Sequence, residues 1–237
     1  MAVVFAPVLT QKKPDTQDLA AFQQVLSSIH PESCPHSYNF HMHTSHSDGQ
    51  LRPDILVDQA IEIGLQGFAI TDHHQISGFM AAYQYLLDWQ TQQENQDKPV
   101  PRMWTGIEIT SQLLETEVHI LGFAFDPAHP AIASYLTGNA PTGMAAEAKQ
   151  VIAAIRQAGG IAVLAHPARY RKSMQDLIPA AVAAGIDGVE TYYAYGNPKP
   201  WCSSPSETEQ VEHLSQHYHL LRTCGTDTHG LNLLQRI

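Results

Sequence analysis

Apolar residues recur along this chain in two rhythms. From Tyr38 onward, short apolar runs alternate with stretches whose apolar positions return every three or four residues. The first rhythm fits buried strands and the second fits helices with one inward face. Strands are predicted near Ser37–His41, Gln66–Thr71, Met103–Ile109, Glu117–Phe125, Ile161–Ala165, Gly188–Tyr192 and Leu220–Cys224, about seven in all. Helices are predicted at Pro53–Ile63, Phe79–Gln92, Ala145–Gln157, Met174–Ala184 and about Ser206–Gln216. Pro53 suits a first helical turn and Gly64 a stop. A polar stretch, Gln93–Pro101, returns the chain to its third strand. Such alternation implies an α/β protein with a mostly parallel sheet. Reactive groups in these folds gather in the loops after the strands, at their C-terminal ends.

Residues 1–37 read as an N-terminal extension with one helix, and residues 38–237 as one catalytic domain. Asp15 is the expected N-cap of a helix running to about His30, with Leu19, Phe22, Val25, Leu26 and Ile29 along one face. Pro31 and Pro35 end it. The opening Ala2–Leu9 is apolar, but it is short, contains Pro7 and has no basic segment ahead of it. It makes a poor signal peptide and cannot span a bilayer.

Composition narrows the function. With 43% apolar residues the chain can build a core without disulfides. Its net charge of −10 argues against a nucleic-acid coat protein and against stable duplex binding. A phosphorylated substrate is still open to it, because bound metal reverses the local sign of the potential. Cys34, Cys202 and Cys224 form no CxxC pair, which fits a reduced, cytoplasmic setting. The fourteen histidines are the unusual feature, and their positions matter more than their number.

After the first strand comes His41-Met42-His43-Thr44-Ser45-His46-Ser47-Asp48-Gly49. Side chains two apart in extended backbone share a side, so His41 and His43 can grip one ion. Later strands deliver Thr71-Asp72-His73-His74, then Glu108, then His119 between Val118 and Ile120, then His166-Pro167, then Gly225-Thr226-Asp227-Thr228-His229. Imidazole nitrogens and carboxylate oxygens are what divalent zinc, manganese or iron take. A lone histidine at a strand end is more often an ordinary surface or core residue. That plain reading is given to His30, His36, His129, His213, His217 and His219. It does not account for ligand-type residues after strand upon strand, so a metal site is expected.

The ordered motifs His41-x-His43 with Ser47-Asp48-Gly49, Thr71-Asp72-His73, Glu108, His119, Ala165-His166-Pro167 and Gly225-Thr226-Asp227-Thr228-His229 resemble those of the PHP (polymerase and histidinol phosphatase) family. The likeness runs from about Tyr38 to His229. It implies a distorted seven-stranded (β/α) TIM-like barrel and phosphoester hydrolysis with two or three divalent ions, manganese, zinc, iron or magnesium. It further implies one ion on His41, His43, Glu108 and Asp227, a second on Glu108, His119 and His166, and a third on Asp48, His73 and His229. His74 stands where the family often has an acidic residue.

The expected function is therefore hydrolysis of a phosphate ester of a nucleotide or small phosphorylated metabolite by metal-bound hydroxide. Glu108, Asp227 and His229 are the candidate catalytic residues, and His229, His46 or His74 the candidate proton donor. Asp72 is read as a partner for a ligand imidazole or as the cap of a turn. Arg169, His46, His74 and Tyr193 are the candidate substrate contacts, with Arg169 as a phosphate clamp. Tyr192, Tyr193, Tyr195 and Trp201 offer either faces for a nucleobase or ordinary packing. A short-oligonucleotide exonuclease, a histidinol-phosphatase-like enzyme and a non-catalytic metal-stabilised interaction domain are the alternatives. An amidohydrolase is disfavoured, because no lysine ends a predicted strand to serve as a carbamylated bridge.

Overall fold

The computed structural model describes residues 14–92 and 97–237. The apolar opening Ala2–Leu9 and residues 93–96 of the polar stretch lie outside the described residues. Among the described residues the α-helices are α1 (Leu19–Leu26), α2 (Pro53–Ile63), α3 (Ser77–Thr91), α4 (Ala148–Gln157), α5 (Met174–Ala184) and α6 (Pro205–His217). The strands are β1 (Tyr38–Asn39), β2 (Gly67–Ala69), β3 (Arg102–Trp104), β4 (Gly106–Leu113), β5 (Thr116–Phe123), β6 (Ile161–Leu164), β7 (Gly188–Tyr192) and β8 (Leu221–Cys224). Pro53 and the left-handed Gly64 bound α2 as its sequence predicts. Among the described residues no helix is long and apolar enough to cross a membrane.

The expected seven-stranded barrel is not what forms. The strands make two sheets, a parallel one ordered β1-β2-β3 and a mixed one ordered β4-β5-β6-β7-β8, and among the described residues they do not close into a barrel. Two local features account for the difference. The segment expected as one strand is divided at Thr105, whose N–H donates to Thr16 O at 3.0 Å and whose carbonyl accepts from Ala124 N at 2.9 Å. The chain thus leaves the first sheet at Trp104 and enters the second at Gly106. A Cβ at Gly106 would lie 2.4 Å from Ile70 O, so only glycine allows this close crossing. The second feature is a hairpin: β4 and β5 pair antiparallel, from Gly106↔Phe123 to Leu113↔Thr116. Its two-residue turn is Leu114-Glu115, with φ of 52° and 57°. β5 also runs antiparallel to β6, whereas β6-β7-β8 are parallel.

Isolated backbone bridges link the segments of the two sheets. Met42 bridges Thr228 on one side, and His73 bridges Glu108 on the other. The first joins the segments that follow β1 and β8 and the second joins the segment after β2 to β4, so the ligand-bearing segments converge there. Behind them lies an apolar core that includes Phe22, Phe40, Trp104, Leu121, Phe123 and Val163. The ring of Phe22 from α1 lies 5.1 Å from both Phe40 and Trp104, so residues before Tyr38 fill this core. The cap of α1 is Asp18, which accepts Ala21 N at 3.1 Å, and not the expected Asp15, which begins a short 3-10 turn. The helix also stops at Leu26, short of His30.

Candidate metal centre

His41 and His43 project to one side because the backbone between them is extended. His43 N donates to Thr228 O at 3.0 Å and Asp227 N to His41 O at 2.8 Å, so this segment and the segment after β8 hold each other. Met42, the alternate residue, turns into the core. A Cβ on Gly225 would lie 2.2 Å from His41 Cβ, so the glycine before Thr226 permits this contact. Asp227, His166 and His74 take positive φ values of 54°, 26° and 56°. Backbone strain in non-glycine residues costs about 1–3 kcal/mol each and is tolerated where surrounding contacts fix it.

Three groups of potential ligands result, each with donor atoms within 4.8 Å of one another: His41, His43, Glu108 and Asp227; His43, Asp48, His73 and His229; and His73, Glu108 and His119. Glu108 is central and buried. Its Oε2 lies 3.0 Å from both His41 Nε2 and His43 Nε2, and its Oε1 lies 2.7 Å from His119 Nδ1. Asp227 Oδ1 faces His41 Nε2 at 3.4 Å and His43 Nε2 at 3.3 Å. Asp48 Oδ2 faces His229 Nε2 at 3.2 Å and His73 Nε2 at 3.6 Å. His166 approaches Glu108 Oε1 at 3.5 Å, while His73 completes the group with His119.

Burial favours the neutral form of Glu108, but the charge of His41 and its other imidazole neighbours outweighs it and holds the carboxyl well below its usual range. Burial likewise opposes a charge on His43, yet the carboxylates of Asp227 and Glu108 close beside it push it up to about 9. For His73, burial leads and the value falls to about 4. Imidazole protons here compensate the carboxylate charge at close range, a role that a bound cation would take over by displacing them.

The fit of such a cation rests on unpartnered atoms. Both ring nitrogens of His43 and of His166 are buried without a hydrogen-bond partner. His43 Nε2 is close to two carboxylates but aligned for a hydrogen bond with neither, as expected of ligands aimed at a shared point. Leaving such atoms unsatisfied costs about 1–3 kcal/mol each, and coordination would satisfy them.

The remaining predicted residues separate. Arg169 Nη1 donates to Asp227 Oδ2 at 2.9 Å, and Tyr193 Oη donates to the same oxygen at 2.7 Å. His46 is exposed, its Nδ1 2.8 Å from Ser77 Oγ. His74 is buried with Nε2 3.1 Å from Thr110 Oγ1. Asp72 accepts Thr44 N at 2.7 Å, Thr44 Oγ1 at 2.7 Å and Ser47 Oγ at 2.6 Å, so it caps the turn that carries Asp48. Tyr192, Tyr193 and Trp201 are buried, which leaves their faces to packing and not to a base. Two residues escaped the sequence reading. Glu190 contacts His41 Nδ1 at 2.9 Å, and Arg236 Nε donates to Asp227 Oδ2 at 2.8 Å. A carboxylate among the buried positions of β7 was a readable signal; Arg236, beyond the last periodic element, gave none.

The PHP domain family matches residues 39–224, which contain seven of the nine proposed ligands, His41 to His166, and stop just before Asp227 and His229. The chain belongs to the PHP family. Membership makes it a metal-dependent phosphoesterase, a hydrolase of phosphoester bonds. This PHP chain is 25% identical over 263 residues to the 5'-3' exoribonuclease Rnm of Salmonella typhimurium, with 81% of the chain and 85% of that protein covered. It is 27% identical over 195 residues to Rnm of Escherichia coli, where 74% of the chain matches 61% of the relative. Among solved structures it resembles a metal-dependent phosphoesterase of Bifidobacterium adolescentis with a TM-score of 0.66, 24% identity and 83% and 88% coverage. It also resembles an amidohydrolase of Chromobacterium violaceum with a TM-score of 0.67, 20% identity and 82% and 88% coverage. Both likenesses bear on the fold.

Proposed function

We propose that this PHP protein hydrolyses phosphodiester bonds at the 5' end of short RNA, with divalent cations bound by His41, His43, Asp48, His73, Glu108, His119, His166, Asp227 and His229. The observation that carries the reading is the linkage of the three ligand groups through Glu108, His43 and His73. Linked groups suit adjacent cations, and the relatives named as 5'-3' exoribonucleases share most of the chain. Two or three ions of manganese, zinc, iron or magnesium match these nitrogen and oxygen donors. When bound, they supply charge against the phosphate and lower the pKa of water to about 7.

The protein's own groups do the positioning. Glu108 sets its two oxygens toward different imidazoles, and Asp227 keeps Oδ1 toward His41 and His43 while Oδ2 is taken by Arg169, Tyr193 and Arg236. Arg169 uses only Nη1 in these bonds among the described residues and is partly exposed, so its other N–H groups serve a substrate phosphate. The exposed loop with His46 forms a rim where a leaving chain can exit. In a protein of net charge −10, substrate attraction depends on the loaded site. Three cysteines without a disulfide fit a cytoplasmic setting.

The test uses one short RNA labelled at its 5' end or at its 3' end, with metal-stripped protein and added manganese. Hydrolysis from the 5' end yields a labelled mononucleotide first from the 5'-labelled strand and a shortening ladder from the 3'-labelled one. The reverse pattern, or release of inorganic phosphate alone, contradicts the proposal, and the latter points to a nucleotide phosphatase.

A further inference from the structure

Behind the ligand groups lies a carboxylate that no ligand group contains. Glu190 is in β7, fully buried, and its ion-pair partner among the described residues is His41. Its Oε1 lies 2.9 Å from His41 Nδ1, and its Oε2 accepts the backbone N–H of His166 at 2.8 Å. The two residues it holds approach Glu108 from opposite oxygens, His41 at Oε2 (3.0 Å) and His166 at Oε1 (3.5 Å). His166 also takes a φ of 26°, a conformation a non-glycine residue keeps only when its surroundings enforce it.

We infer that Glu190 is a positioning residue: one buried carboxylate that fixes His41 and His166 against Glu108 and so sets two cation ligands at once. This rests on the metal-centre reading above. A carboxylate offers only acceptors, so it requires a proton on His41 Nδ1 and leaves Nε2 free to coordinate. At its other oxygen it anchors the strained turn from which the His166 ring projects.

Gln at position 190 keeps the shape but has one acceptor for two donors. If the amide oxygen serves His166 N–H, the amide NH₂ faces His41 Nδ1 and drives the ring proton to Nε2, where it opposes a cation. If the oxygen serves His41, the His166 N–H is orphaned. The experiment is manganese binding to metal-stripped Glu190→Gln and to the parent, by titration calorimetry and metal analysis, with thermal unfolding of both stripped proteins. The expected result is about 10- to 100-fold weaker manganese binding, together with an unfolding cooperativity like the parent's. In turnover, kcat should fall more than KM changes. A folded Glu190→Gln protein that binds manganese as tightly as the parent overturns the inference. Should that variant not fold, nitrogen-15 spectra of the parent loaded with diamagnetic zinc decide: a proton on His41 Nδ1 supports the role, and an unprotonated Nδ1 overturns it. A parent that binds no manganese overturns the metal-centre reading itself, and this inference with it.

Discussion

Asp227 divides its two oxygens between different neighbours. Oδ1 faces the imidazoles of His41 and His43, whereas Oδ2 takes hydrogen bonds from Arg169, Tyr193 and Arg236. Asp227→Asn puts an amide NH₂ on one side, against either donors or a cation. We expect metal content to drop and hydrolysis to fall by more than about 100-fold, since losing a ligand should exceed the loss of a supporting partner, with circular dichroism largely unchanged. Full activity in that variant would remove Asp227 from the ligand set. Asp72 acts at one remove: it accepts three hydrogen bonds in the turn leading to Asp48. Asp72→Ala leaves buried donors unmet and should destabilise by about 1–3 kcal/mol, measured by denaturant unfolding of the stripped protein. The nine ligand-type residues were legible because they recur in or after strand upon strand as polar residues against apolar runs, with Glu108 and His119 inside β4 and β5 and Asp48 in the loop after β1. Asp72, Glu190 and Arg236 were less so, because their duties depend on residues far away in sequence, and spacing alone cannot reveal such partners.

At the level of elements, α1 shows how the segment before Tyr38 joins the core. Phe22 is fully buried and packs on Phe40, Trp104 and Phe123 with ring centroids 5.1–5.2 Å away. Phe22→Ala should cost about 3–5 kcal/mol, readable in chemical unfolding; a cost below about 1 kcal/mol would mean that α1 merely covers a core complete without it. The cap of this helix also titrates. The Ala21 backbone N–H and the Arg102 side chain hold Asp18 below its usual carboxylate range. A depressed native pKa means the unfolded chain binds the proton more readily, so this contribution is present above about pH 4 and is lost as pH falls through the native value. Asp18→Asn should flatten the acid limb of stability against pH, and an unchanged limb would rule the cap out. Most helices and strands were legible from periodicity, with α5 and β7 at their expected bounds. The hairpin was not, because its turn uses Leu114-Glu115 with positive φ where Asn-Gly or Asp-Gly would announce it. Without that signal β4 and β5 looked like neighbours in a parallel series.

Across the whole molecule, the ligand-bearing segments come from both sheets, so metal uptake joins the two. His41, His43 and His73 follow strands of the first sheet, whereas Glu108, His119, His166 and Asp227 lie in or follow strands of the second. Cations that bind only the folded state stabilise it by about 2.7 kcal/mol at a hundredfold excess over Kd. For a chain of this size that should raise Tm by roughly 5–10 °C, and chelation should reverse the gain. The fold class was legible only as α/β with strand-end chemistry, since the division into two sheets depends on the crossing at Thr105 and on the β4-β5 hairpin, which no local pattern marks. The most direct test of the central claim compares the parent with Glu108→Gln on a 5'-labelled short RNA, stripped of metal and then supplied with manganese. The parent should cleave only when manganese is restored, and Glu108→Gln, folded but poor in metal, should stay inactive. Cleavage by the stripped parent, or parent-like cleavage by Glu108→Gln, would contradict it.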